Sequence, residues 1–152
     1  MKSKQCLDVQ QMQHLQELGL DTSNASLCYY KQEGWEANYF IALTCDIKKK
    51  GGLTYYYDSF GNKEYILNEV IPAYSLQEVL DVLPKEISKD GCAGYASLYI
   101  DFENNRIAYG NTDRYGFEIY HEIMIEKDLI DAAYFMLCWI IEQDYVETKK
   151  NK

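Results

Sequence analysis

Residues 116–145, "GFEIYHEIMIEKDLIDAAYFMLCWIIEQDY", carry two periodicities back to back, and the change between them decides the fold class. Phe117, Ile119, His121, Ile123 and Ile125 alternate strictly with Glu118, Tyr120, Glu122, Met124 and Glu126. A period of two is that of a half-buried strand, so the side bearing His121 and the isoleucines is expected to face inward. At Asp128, a candidate cap, the period changes to that of a helix running to about Glu142. Its apolar residues go almost all the way round: Leu129, Ala132, Met136, Trp139 and Ile140 on one side, Ile130, Ala133, Tyr134, Leu137 and Ile141 on the next. Only the stripe through Asp131, Phe135, Cys138 and Glu142 is partly polar. Such a helix is either the central helix of the core or is covered twice, by the sheet and by a partner. The second option predicts a homodimer through the C-terminal helix.

Working outward, "GYASLYIDF" (94–102) and "RIAYGN" (106–111) read as a hairpin across "ENN". Ala96, Leu98, Ile100 and Phe102 are expected inward, with Tyr95, Ser97, Tyr99 and Asp101 on the other side. "SLQEVLDVLP" (75–84) is a short helix, capped by Ser75 with Glu78 three residues on and stopped by Pro84. "GGLTYYYDSFGNKEYILNEVI" (51–71) is two strands about the turn "DSFGN", with Tyr55 and Tyr57 pointing one way and Tyr56 the other. "SLCYY" (26–30) and "WEANYFIALTC" (35–45) form another hairpin; Phe40 and Ala42 intrude on its polar side, so this strand is expected to be covered on both faces. "LDVQQMQHLQELG" (7–19) is a helix with Asp8 as cap, Gln11 closing the box, Met12, Leu15 and Leu18 on one face, and Gly19 as exit. The pattern predicts an α+β domain over residues 1–152, with one mainly antiparallel sheet built from hairpins and three helices packed largely on one face.

The 152 residues are 47% apolar and 26% charged, enough for a single core without metal or disulfide. The net charge is −9; every carboxylate lies between Asp8 and Glu147, while Lys2, Lys4, Lys149, Lys150 and Lys152 make basic tails. An acidic body repels phosphate backbones, which disfavours direct nucleic-acid binding; it is compatible with a basic protein partner or with mimicry of nucleic acid's own charge, and equally with charge that serves only solubility. Cys6, Cys28, Cys45, Cys92 and Cys138 are odd in number and widely spaced, the usage of a reducing compartment. The first residues carry charge but no apolar run, and the longest apolar stretch, 132–141, is about half of what a bilayer crossing requires. A cytoplasmic location away from membranes is therefore expected, where the sequon Asn24-Ala25-Ser26 has no consequence.

Common catalytic constellations are missing. There is no glycine-rich phosphate loop, and the distant pair His14 and His121 gives no zinc spacing, so neither metal nor cofactor is predicted. Cys92 in "DGCAGY" with His121 as base is the one candidate nucleophilic pair, although no third orienting group accompanies it. Glu118 and Glu122 would lie roughly 13 Å apart along a strand, too far for paired-carboxylate glycoside chemistry. What remains is binding. Tyr95, Tyr99, Asp101, Glu118, Tyr120 and Glu122 are expected to form an acidic, tyrosine-bearing sheet face suited to protein recognition, because tyrosine gives large contact area at small entropic cost.

The segments "MQHLQELGLDTSNAS", "IPAYSLQEVLDVLPKEI" and "LIDAAYFMLCWIIEQDYVET" resemble small proteins encoded in prophages and other mobile elements of Bacteroides-type gut bacteria. The shared phrases are architectural and carry no catalytic residue; Gln143-Asp144 stands where such proteins would have an Asn-Gly helix exit. The resemblance implies origin and fold more than activity; taken with the acidic, tyrosine-bearing sheet face, the expected function is that of a non-enzymatic accessory protein of a mobile element acting by protein–protein contact. Alternatives are an immunity or anti-defence protein that neutralises a basic enzyme, and a small enzyme built on Cys92 and His121.

Overall fold

The computed structural model describes residues 4–58, 60–61, 63–88, 95–112 and 118–149, of which 112 and 118–121 through their backbone alone. In chain order the elements are α1 (Val9–Glu17), β1 (Leu27–Gln32), β2 (Trp35–Leu43), β3 (Ile47–Lys50), β4 (Leu53–Asp58), β5 (Lys63–Ala73), α2 (Leu76–Val82), β6 (Glu86–Ser88), β7 (Tyr95–Asp101), β8 (Arg106–Thr112), β9 (Glu118–Ile125) and α3 (Leu129–Glu142). The fold is α+β, with antiparallel sheets and three helices as the hairpin and helix patterns predict. The strands divide into two sheets rather than one: β2-β1-β5-β4-β3 and β6-β7-β8-β9. The chain leaves the first sheet at Ala73 and enters α2 within three residues, and Pro84 ends that helix before β6. β6 therefore pairs with β7 rather than returning to β5.

The helix ends follow their sequence signals. The Asp8 carboxylate accepts from Gln11 N at 2.8 Å and the Gln11 side chain accepts from Asp8 N at 3.1 Å, a closed capping box on α1. Gly19 then turns left-handed with φ +93°, its N–H bonding Gln16 O while Leu20 N bonds Leu15 O. α3 exits in the same way, with Asp144 at φ +61° in the glycine position and Tyr145 N on Ile140 O. Asp128 differs from expectation: its side chain makes no capping bond, and its backbone carbonyl alone receives Asp131 N and Ala132 N.

α3 is the central helix of the core. Ten of its fourteen residues are buried by the protein's own packing, among them Met136, Leu137 and Ile140 at 0% exposure. Around it gather Met12 and Leu15 of α1, Val79 of α2, Ile71 from the larger sheet, and Ala96, Ile107 and Tyr109 from the smaller. Each large aliphatic side chain removed from water here contributes about 1.5–3 kcal/mol before entropy is counted. Along its polar stripe Cys138 is buried and Asp131 partly covered, accepting from Lys4 at 2.8 Å and from Gln11 at 2.9 Å, while Phe135 and Glu142 are exposed. Of its large apolar side chains Phe135 is 42% exposed and Trp139 half-buried. No described helix is long and apolar enough to cross a membrane.

The larger sheet carries a second, smaller core on the face away from Ile71. Between the pairs Lys31↔Glu69 and Gln32↔Leu67, β5 has one extra residue, Asn68. A one-residue bulge reverses which face later side chains occupy. Leu67 and Ile71 are four apart and both buried, yet Ile71 joins the main core while Leu67 joins Cys28, Tyr30 and Ala42. Over Leu67 the rings of Phe40, Tyr30, Tyr56 and Tyr65 stack in a row, with successive centroids 5.6, 5.2 and 6.3 Å apart. The alternation expected for the three consecutive tyrosines is present, with Tyr56 in this row and Tyr55 and Tyr57 opposite Ile66 and Glu64 in the β4–β5 ladder. β2 departs from its expected cover on both faces. It is an edge strand, and Trp35, Phe40, Ile41 and Leu43 are all exposed.

Candidate functional site

The smaller sheet turns one side to α3 and the other to solvent, and its register decides which side chains belong to each. Along β7 and β8 the pairs are Ser97↔Gly110, Leu98↔Tyr109, Tyr99↔Ala108, Ile100↔Ile107 and Asp101↔Arg106. Directly paired residues share a face. Ile107 and Tyr109 are buried in the main core, so Leu98 and Ile100 turn inward with them, and Tyr95, Ser97, Tyr99 and Asp101 turn outward as expected. Phe102 was expected inward but lies just beyond the strand and is 67% exposed.

β9 is where the expectation fails. It pairs Glu122 with Tyr109 and Tyr120 with Gly110, which leaves His121 as an extra residue in the ladder. This bulge switches the alternation within the strand. Downstream of it, Met124 pairs with Ile107 and packs on the core, and Glu122 shares that inward side. Ile123 and Ile125 turn outward, opposite Ala108 and Arg106, and are 37% and 63% exposed. The isoleucines were expected inside and Glu122 outside; each takes the reverse. Upstream, Tyr120 and Glu118 hold register positions beside Gly110 and Thr112 on the outward side, and their side chains, with that of His121, lie outside the described residues. Cys92 lies outside them as well, so its pairing with His121 lies there too.

The solvent side is thus an apolar trough. Its floor is Ala108 and Gly110 of β8, both buried beneath their neighbours. One wall is Tyr95 and Tyr99, 66% and 37% exposed, and the other is Ile123 and Ile125. Glu86 and Ser88 of β6 extend the rim beside Ser97 and Tyr95. At the far end the Arg106 guanidinium meets Asp101 at 3.4 Å. Asp101 also accepts from Glu103 N, Asn104 N and the Asn104 amide. The Asn104 bonds, with the Arg106 charge, hold its carboxyl below the usual carboxylate range. Asp101 is thereby committed as a fixed negative charge at the end of the trough. The small residues of "RIAYGN" were a signal for this floor; the bulge that raises its second wall had none.

Across β7, on the inward side, a groove of about 770 Å³ opens between α2 and the strand, walled by Leu80, Leu83, Pro84, Leu98 and Ile100 with Phe102 at its mouth. It is apolar, with Asp81 and Lys85 as its charged groups.

One constellation of chemistry-bearing residues was not anticipated. His14 Nδ1 lies 2.7 Å from the Tyr134 hydroxyl and 3.7 Å from Cys138 Sγ, joining α1 to α3. Burial pushes the Cys138 thiol up to about 11, and the nearby carboxylate of Glu142 adds to the rise. A thiolate nucleophile needs the opposite shift. The cluster therefore serves as a hydrogen-bonded link between helices. Among the described residues no group of three or more His, Cys, Asp and Glu side chains is arranged to hold a metal ion. Comparison with family models, with curated proteins and with solved structures finds no match to this chain.

Proposed function

We propose that the protein is a non-enzymatic accessory protein, of the mobile-element kind its sequence resembles, that works by docking another protein on the outer face of its smaller sheet. The observation that carries this reading is the trough itself: Tyr95, Tyr99, Ile123 and Ile125 standing exposed on either side of a floor of alanine and glycine. An apolar centre flanked by aromatic side chains and rimmed with polar ones is the composition of a protein interface core. A strand face covered on one side only normally alternates apolar-in and polar-out, and here the outward side is apolar at four positions. Glu86 and Asp101 on the rim, on a chain of net charge −9, favour a partner whose own rim is basic.

The test is affinity purification of the tagged protein from cells that make it, with quantitative mass spectrometry, beside an Ile123→Lys/Ile125→Lys double variant. Both positions are exposed, so the melting temperature is expected to stay within a few degrees. The recovery of the principal partner is expected to fall at least about tenfold. Equal recovery by a folded variant, or no enrichment over a tag-only control, overturns this face.

A further inference from the structure

Among the described strands the larger sheet has two edges, and they are built differently. One edge is β3, where Lys48, Lys49 and Lys50 follow one another. Consecutive lysines on an edge are a common means of blocking strand addition, because pairing would bury or juxtapose like charges. The other edge is β2, which carries no such protection. From Ala37 to Leu43 it has no charged residue, and Ile41 and Leu43 are 55% and 51% exposed. Its pairing with β1 is regular from Phe40 to Leu43 and then skips, Tyr30↔Phe40 being followed by Gln32↔Trp35. The part of the edge fit for strand addition is therefore this regular stretch, 40–43, extended by the adjoining Tyr39.

We propose that β2 is the seam of a homodimer, in which two copies pair their 39–43 segments antiparallel about a twofold axis at Ile41. The segment is self-complementary in that register. Ile41 meets Ile41 and Tyr39 meets Leu43 on the face bearing Ile71, while Phe40 meets Ala42 on the face bearing the stacked rings. No charge falls opposite another, since Glu36 lies outside the paired segment. Backbone groups of alternate residues, unpaired with any described strand on this edge, complete each other's ladder. A second copy fits better than an open chain of copies: joining β2 of one molecule to β3 of the next would bring three lysines into each junction, whereas β2 to β2 closes after two. The seam is short, so the dissociation constant is expected at about 1–100 µM. Each chain has a net charge of −9, so the dimer must tighten with salt, the reverse of what a basic partner would do.

Sedimentation equilibrium of the full chain over that concentration range, at roughly 0.05 M and 0.5 M salt, reads the association directly. A dimer that tightens at the higher salt is expected. Ile41→Lys, which sets two lysines face to face, is expected to raise the dissociation constant about tenfold or more with an unchanged circular dichroism spectrum. Ile41→Cys in a Cys45→Ser/Cys92→Ser background is expected to form a disulfide-linked dimer under mild oxidation, because residues paired across strands lie within about 4.5–5.5 Å at Cα; the Cys45→Ser/Cys92→Ser parent, whose other cysteines are buried, is not. A wild-type protein monomeric throughout overturns the proposal. So does a dimer that survives Ile41→Lys and does not cross-link at position 41, which would place the contact elsewhere.

Discussion

Glu78 shows how much a single side chain can tie together. Its carboxylate accepts from Ser75 N and Ser75 Oγ, both at 3.1 Å, and from Ser26 N at 2.9 Å and Ser26 Oγ at 3.0 Å. The Ser75 N bond, with the 3.3 Å bond that Glu78 N donates to Ser75 Oγ, closes the capping box of α2; the Ser26 bonds pin that helix to the loop before β1, 52 residues away. Burial pulls this carboxyl up, but the four hydrogen bonds outweigh it and hold it below its ordinary value. A folded-state value below the unfolded one stabilises the protein above the ordinary carboxylate range, and that contribution is lost as pH falls through the lowered value. Glu78→Gln is therefore expected to cost about 1 kcal/mol at neutral pH, discounted for partial exposure, with the difference closing below about pH 4. Denaturant midpoints of both proteins at the two pH values measure this; a gap that persists unchanged in acid contradicts the charged hydrogen bonds. Ser75 and Glu78 were legible as a pair because a cap is local. Ser26 was not, because nothing in the sequence relates it to a position so distant.

At the scale of the element, two extra residues account for most of the difference between expected and observed faces. Asn68 in β5 and His121 in β9 each shift a ladder by one position. Each leaves the strand in place and exchanges its sides downstream. β7 has no bulge in its pairing with β8, and Tyr95, Tyr99 and Asp101 lie where alternation puts them. β9 has one, and Glu122 changes places with the isoleucines. Deleting Asn68 would force either Leu67 out of the small core or Ile71 out of the large one. The deletion is expected to destabilise the protein by about 3 kcal/mol or more. Asn68→Ala, which removes only its exposed 2.9 Å bond to Glu36, should cost about 0.5 kcal/mol or less. Comparable chemical-denaturation midpoints for the two variants would show that the bulge is not what divides the cores.

For the molecule as a whole, the tyrosines set an alkaline limit. Burial raises the phenols of Tyr29, Tyr109 and Tyr134 well above the ordinary range and pushes Tyr74 up to about 12. Tyr109 and Tyr74 also donate their hydroxyls, to Pro84 O at 2.6 Å and to Asn24 Oδ1 at 2.7 Å, bonds that need the proton in place. As pH rises past the unfolded phenol value near 10, the unfolded chain releases protons that the folded one retains, so stability falls. The expected result is a cooperative loss of circular dichroism above about pH 10–11 that coincides with the last rise in phenolate absorbance. Complete phenolate formation with the fold intact would contradict these burials. By itself the sequence determined what short-range physics can write: where helices begin and end, the longer strands (though not the short β3, whose lysines read as a charged loop, nor β6), the α+β class, and a final helix too apolar to lie on a surface. Only the tertiary structure decided that the strands form two sheets, that β2 is an edge of one of them, and that Ile123 and Ile125 face the exposed trough while Glu122 turns inward. Those outcomes depend on register and on which strand lies beside which, and pairing energies between residues far apart in the chain leave no periodic mark on either strand alone.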